Sequence, residues 1–419
     1  GMAKTPHAKA FSVSTDPGQS QPDWHWPYPD SDQVPTGKPG AIRATPFRWR
    51  DPASIPPRQW LYGQHLIRRF ISMTVAPGGL GKSSLVLVEA LALATGRPLL
   101  GITPPARCRV WVWNGEDPLE EVERRVAAIC LHYGISREEI EGWLFLDSGR
   151  DSEIILARTT RAGTHLAVPV VEALTHTILE NAIDVVFLDP FVSTHQVTEN
   201  DNGAVDVVAS AINRIAEETG AAFDLVHHVR KGQGSAGEHT VEDGRGAGAL
   251  LAKARSARVL NQMTKEEAER AGVDQRRRYF RVDNGKANLA QPPERGSWFH
   301  LASISLGNGP ESLLALSDHV AVVEPWSWPD PLEGMSVEDL RAAQAAVCVG
   351  GPWRENVQAG DWVGRPIAGA LKLDPNEPQH RERIKKMLKI WIANGMFVIA
   401  SGRDKKGNIR SFVELGELA

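Results

Sequence analysis

Ile71-Ser-Met-Thr-Val-Ala-Pro-Gly-Gly-Leu-Gly-Lys-Ser-Ser84 decides how the rest of the chain is read. An apolar strand runs into a glycine loop, and the loop runs into the apolar helix Leu85–Ala94. Glycines let backbone N–H groups approach an anion closely, and the helix start adds its dipole. Ala76-Pro77-Gly78-Gly79-Leu80-Gly81-Lys82-Ser83 therefore matches a phosphate-binding P-loop, with Ser84 completing the cradle. Lys82 is placed to reach the β- and γ-phosphates, and the Ser83 hydroxyl to ligate Mg²⁺. Ala76 stands where the motif has its first glycine, and Gly78, Gly79 and Gly81 keep the backbone permissive. A nucleoside triphosphate site with Mg²⁺ is expected here.

Outward from this stretch, strands and helices alternate. Arg109–Asn114 reads as a strand entering Gly115-Glu116-Asp117-Pro118, with a helix from Leu119 to His132. Leu144–Leu146 reads as a strand, Val168–Asn181 as a helix, Ile183–Asp189 as a buried strand, Ala204–Thr219 as a helix and Ala222–Val226 as a strand ending in His227-His228. Further strands at Val259–Leu260, Tyr279–Val282 and Trp298–Ala302 extend the sheet. The rhythm predicts an α/β fold, a mostly parallel twisted sheet flanked by helices. This core is expected over 58–320. Before it, residues 1–57 lack helical or strand periodicity and read as an irregular proline-rich arm carrying Trp24, Trp26 and Tyr28. After it, 321–335 reads as a proline-rich linker. Residues 336–419 read as a small helical module with a basic helix, Arg381–Asn394, and a hairpin around Asp404–Gly407, resembling a winged helix.

Composition sets wider bounds. The 419 residues are 42% hydrophobic and 23% charged, enough for a sizeable core in two or three domains. Cys108, Cys130 and Cys348 lie far apart and suggest neither a disulfide framework nor a metal knuckle, so a reducing cytoplasm is expected. No membrane span or signal peptide is expected, and Gly1 ahead of Met2 reads as a cleavage scar. A net charge of −4 argues against global attraction to nucleic acid but leaves room for a local basic channel.

The ends of the strands carry the chemistry. Asp189 closes an apolar strand, as an acid serving the Mg²⁺ shell should. Glu116 is the candidate base for an attacking water, with Asp117 as helix cap or support. His227 and His228 are strand neighbours and face opposite sides, so only one can look toward a nucleotide. The glycine-rich loop Arg230–Gly244 carries Arg230 and Lys231, which could touch phosphate.

Together these stretches resemble RecA-like AAA-type ATPases of the RepA group, the hexameric replicative DNA helicases of plasmids, phages and their bacterial relatives. The resemblance rests on Ala76–Ser83, Gly115–Pro118, Phe187–Pro190, Val226–Gly232 and, most specifically, Arg245–Thr264 continuing through Ala268 to Gly285–Asn288. It covers about 58–300. It implies Lys82 and Ser83 as phosphate and Mg²⁺ ligands, Glu116 as base, Asp189 as the second metal residue and His228 as γ-phosphate sensor. Arg255 is implied as an arginine finger reaching the next subunit, with Arg245, Arg258 and Lys286 as rivals. The implied activity is an ATP-hydrolysing homo-oligomeric ring that moves on single-stranded DNA, with Thr194–Asn200 and Arg230–Gly244 lining the channel. Competing expectations are a nucleotide-gated DNA-binding regulator and a recombinase-like filament. In the regulator, Arg381, Arg383, Lys385, Lys386, Lys389, Lys405, Lys406 and Arg410 would contact DNA phosphates.

Overall fold

The computed structural model describes residues 44–229, 238–244, 247–291, 293, 295–310, 317–404 and 406–419. Residues 1–57 form a unit of their own. Its described part holds one 3₁₀ turn, Pro52–Ser54, begun by an Asp51 carboxylate that accepts the Ala53 N–H. Trp24, Trp26, Tyr28, Arg230, Lys231, Arg245 and Lys405 lie outside the described residues.

Residues 58–419 form the second unit. A short antiparallel pair, β1 (Trp60–Tyr62) and β2 (Leu66–Ile67), leads into β3 (Ile71–Ala76), whose six residues are all buried. Helix α1 (Lys82–Thr95) follows the glycine loop and stops at Gly96, which adopts the left-handed conformation that glycine takes without penalty. Next come β4 (Val110–Asn114), α2 (Leu119–Tyr133), α3 (Arg137–Ile140) and β5 (Leu144–Ser148). A hairpin of β6 (Ala157–Thr160) and β7 (Gly163–Leu166) precedes α4 (Val168–Glu180). The sequence reading has no hairpin there, because Ala157–Leu166 is largely polar and lacks the apolar alternation of a half-buried strand. Then follow β8 (Val185–Asp189), α5 (Asn202–Thr219), β9 (Ala222–His228), α6 (Ala247–Lys253), β10 (Ser256–Gln262) and α7 (Lys265–Ala271). Three long strands, β11 (Tyr279–Ala287), β12 (Ser297–Ser305) and β13 (His319–Pro325), complete the core.

Nine strands make one sheet in the order β13-β12-β11-β10-β3-β9-β8-β4-β5. The six from β10 to β5 are parallel, and the other three add on as an antiparallel extension. Alternate side chains feed two cores. Met73, Val75, Trp113 and Leu225 pack with α4 and α5 on one face, while Val112, Phe187 and Val226 pack with α1 and α2 on the other. Each fully buried apolar side chain of this size contributes about 1.5–3 kcal/mol, which explains why the central strands are almost continuously apolar. The extension curls over the helices. Ser84 donates to the Ala321 carbonyl at 2.9 Å, and the Tyr133 hydroxyl donates to Val323 at 2.7 Å. β13 thus carries the sheet to Pro325, into the stretch read from sequence as linker.

Past β13, Trp326 and Trp328 fold back onto Trp298, with ring centroids 5.4–5.8 Å apart. The chain continues through α8 (Val337–Cys348), β14 (Trp353–Arg354), α9 (Gly364–Ala370), α10 (Pro378–Ala393), β15 (Phe397–Arg403) and β16 (Ile409–Leu415). Its small sheet has the order β14-β16-β15 and covers a core of Val347, Trp362, Ile367, Met387, Trp391 and Phe397. No helix among the described residues is long and apolar enough to cross a membrane.

Candidate active site at the ends of β3, β4, β8 and β9

The glycine loop departs from ordinary backbone at two places only, Gly79 (φ 77°) and Gly81 (φ 95°). Ala76 is still strand. It is fully buried and pairs with His228, and its carbonyl accepts the Val229 N–H at 3.2 Å. A methyl group fits there, so the missing first glycine costs the loop nothing. Gly81 is different, because a Cβ on it would meet Leu301 at 3.0 Å in a left-handed backbone.

Lys82 is buried with its Nζ 3.6 Å from Asp189 Oδ1. Asp189 is 2% exposed, and that same oxygen has no hydrogen-bond partner among the described residues. A buried carboxylate oxygen without a donor is costly, and a cation would complete it. The half-buried Ser83 stands beside Lys82 on the first turn of α1. A hydroxyl and a carboxylate are hard oxygen donors, so Ser83 and Asp189 fit a Mg²⁺ ion that keeps several waters. Ser84 does not share this role. Its hydroxyl is spent on the Ala321 carbonyl, away from the loop, because β13 packs against α1.

Glu116 sits on a turn that its neighbours hold rigidly. The Asn114 side-chain carbonyl accepts N–H bonds from Glu116 at 3.0 Å and Asp117 at 2.7 Å, an Asx turn at the end of β4. Arg150 Nε donates to the Glu116 carbonyl at 2.8 Å, and the Ser148 hydroxyl donates to that of Asp117 at 2.6 Å. Gly115 and Gly149 pack back to back, with less than 3.0 Å for a Cβ at either. Asn114, Ser148 and Arg150 are absent from the sequence-derived site, although Asn before Gly at a strand end is a readable turn signal. Asp117 is no helix cap. Pro118 occupies that position, and the Asp117 carboxylate pairs with Arg125 at 2.8 Å.

His228 Nε2 lies 3.5 Å from Glu116 Oε1. Burial pushes its pKa down and the Lys82 ammonium pushes it further, against the pull of Glu116 and Asp189. At neutral pH the ring is therefore uncharged and able to share a hydrogen bond. His227 points to the other face, where its ring lies 6.0 Å from that of Phe191. Lys82, Ser83, Glu116, Asp189 and His228, up to 146 positions apart, thus meet at the C-terminal edge of the sheet, where open α/β sheets bind ligands.

The remaining candidates lie elsewhere. Arg255 is at the opposite end of the strands, where its N–H bonds the Ile71 carbonyl at 2.9 Å and its guanidinium lies 5.8 Å from the Phe70 ring. The length of β3, about 20 Å, separates it from the glycine loop of its own chain. Arg258 is no rival, since it is buried and bound bidentately to Glu89 at 2.6 Å. Lys286 donates to the Leu251 carbonyl. Of the basic residues on α10, Lys385 and Lys389 are exposed. Lys386 turns inward to the Arg270 carbonyl and the Trp328 ring, and Arg383 binds the Pro331 and Glu333 carbonyls. Lys406 is exposed at the β15–β16 turn.

The family model described as an AAA domain matches residues 36–234. That span contains the five residues gathered at the strand ends, while Arg255 and the C-terminal elements lie beyond it. Over residues 36–234 the chain is therefore similar to AAA-type ATPase domains of the P-loop family.

Proposed function

We propose that the protein is an ATP-hydrolysing motor on DNA, a cytoplasmic ring (a hexamer, as in the RepA group) that translocates on single-stranded DNA and unwinds duplex. The observation that carries this reading is the convergence of Lys82, Glu116, Asp189 and His228 on one strand edge, with an arginine, Arg255, held far from it. Lys82 neutralises phosphate charge. Glu116, fixed through Asn114 and Arg150, accepts the proton of the attacking water. The neutral His228 bridges from Glu116 toward the γ-phosphate and reports its presence to β9. Ser83 and Asp189 would hold Mg²⁺, which would supply neutralisation of phosphate charge. Arg255 acts on the neighbouring subunit's site, and such a finger accelerates turnover by roughly 10³–10⁵. The loop Thr194–Asn200 lines the channel.

The C-terminal elements support a second reading. Their order, helix, short strand, two helices and a hairpin, supports reading them as a winged helix. Lys385, Lys389 and Arg410 line a cleft of about 860 Å³ between α10 and the hairpin. In a nucleotide-gated regulator, this module would hold duplex DNA, with Lys406 at the tip of the wing.

Strand displacement decides between them. The motor predicts ATP-dependent displacement that Lys82→Ala abolishes. Arg255→Ala should leave nucleotide binding intact and stop turnover. DNA binding without displacement, lost on deleting 330–419, would favour the regulator.

A further inference from the structure

The β6–β7 hairpin sits between β5 and α4, at the same strand edge as the candidate active site. A two-stranded hairpin is marginal by itself, and this one is tied by its backbone to the segment that follows Asp189. Leu156 donates to the Thr194 carbonyl at 2.8 Å, Gln196 to Ala157 at 2.8 Å and Thr159 to Gln196 at 3.1 Å. A 3₁₀ turn, Phe191–Thr194, is all that lies between Asp189-Pro190 and this junction.

Alternation along β6 sets which side faces out. Ala157 is buried in the core, so Arg158 points the other way, and Arg158 stands directly opposite His165 on β7. Both are exposed, as is Arg161 at the turn. Neither arginine has an ion-pair partner among the described residues, and residues 154–171 contain no Asp or Glu. Glu199, the acid of the adjoining loop, acts on buried His195. Arg158 facing a histidine gains nothing from that neighbour, and an anion laid across the pair would satisfy both.

We propose that this hairpin is a contact for the phosphate backbone of single-stranded DNA, with Arg158 and Arg161 as its cations. The inference rests on the motor reading and deepens it. It names a surface that is bonded directly to the Asp189 segment, so that strand contact and nucleotide state move together.

The test uses the full chain with a fluorescein-labelled oligothymidylate and a non-hydrolysable ATP analogue, with affinity measured by anisotropy over a salt series. For Arg158→Ala/Arg161→Ala, affinity should fall about tenfold and the log–log salt slope should become shallower by about 1.4, roughly 0.7 for each phosphate no longer neutralised. Turnover without DNA should be unchanged. Arg158→Lys/Arg161→Lys should keep the wild-type slope, which separates charge from any local unfolding. A double alanine variant with the wild-type slope would overturn the hairpin assignment and leave the motor reading standing. A wild-type protein that does not bind the oligonucleotide would overturn both.

Discussion

Helix α1 carries two buried charges seven residues apart, Lys82 and Glu89, and they enter two very different clusters. Glu89 is clasped by Arg258 through two 2.6 Å bonds. Arg258 Nε also donates to Thr74 at 2.9 Å, and Asp224 accepts from Thr74 at 2.8 Å and lies 3.2 Å from His65 Nε2. Every charge there has an answering group within the chain. About 10.5 Å away along the helix, Lys82 and Asp189 stand 3.6 Å apart, Glu116 and His228 3.5 Å apart, and one Asp189 oxygen has no donor among the described residues. The difference separates two uses of buried charge. A cluster saturated by short bidentate bonds pins α1 to β3, β9 and β10. A cluster held loosely can respond to the charge of a bound triphosphate.

Breaking the closed cluster should cost stability and little else. Arg258→Ala strands Glu89 and Asp224 in the core and should lower unfolding free energy by about 3–5 kcal/mol in urea melts. Arg258→Met with Glu89→Leu should recover much of that loss, since an apolar pair removes the unpaired charge. Breaking the open cluster should do the reverse. Lys82→Ala should cut turnover by at least about 10³, or about 4 kcal/mol of barrier, while costing less stability than Arg258→Ala, because the 3.6 Å pair it breaks is looser than the bidentate one. If Lys82→Ala destabilised the fold as much as Arg258→Ala, the contrast between the clusters would be void.

Two smaller effects sharpen it. Behind Asp189, burial pushes the His195 pKa down to about 4, with His227 adding to the shift and Glu199 opposing it. The folded state thus refuses a proton that the unfolded chain accepts below about pH 6.5. Stability should fall by about 2.5 kcal/mol as pH drops from 6.5 to 4, and His195→Gln should flatten that slope in urea melts across the range. Asn114→Ala removes the acceptor that holds Glu116 and should cost about 1 kcal/mol of stability. It should lower kcat about tenfold with KM nearly unchanged, because Glu116, the proposed base, loses its placement rather than its chemistry.

How legible this was from sequence depends on the range of the cause. The glycine loop, the apolar strands and the acid at the end of β8 are local patterns. Gly79 and Gly81 need positive φ, and Ile71–Ala76 needs burial on both faces, wherever the strand later pairs. Lys82, Ser83, Glu116 and Asp189 could be nominated because each ends or begins such a pattern, whereas the choice of His228 over His227 came from the family resemblance. The Asx turn at Asn114 was also local, and it went unread.

Ser84 and Lys386 were not decidable in that way. Each lies among residues of the right type, and only packing turns Ser84 to β13 and Lys386 to α7. Arg258 looked like a mobile finger until β10 came to lie beside β3 and set it against Glu89, 169 positions away. From residue order alone, the chain determined a phosphate-binding α/β core and its chemical groups, since helix, strand and glycine turn are encoded within a few neighbours. Tertiary structure decided which charges are spent and which stay available, because a side chain's partner in the core comes from distant segments and from the face that packing leaves open.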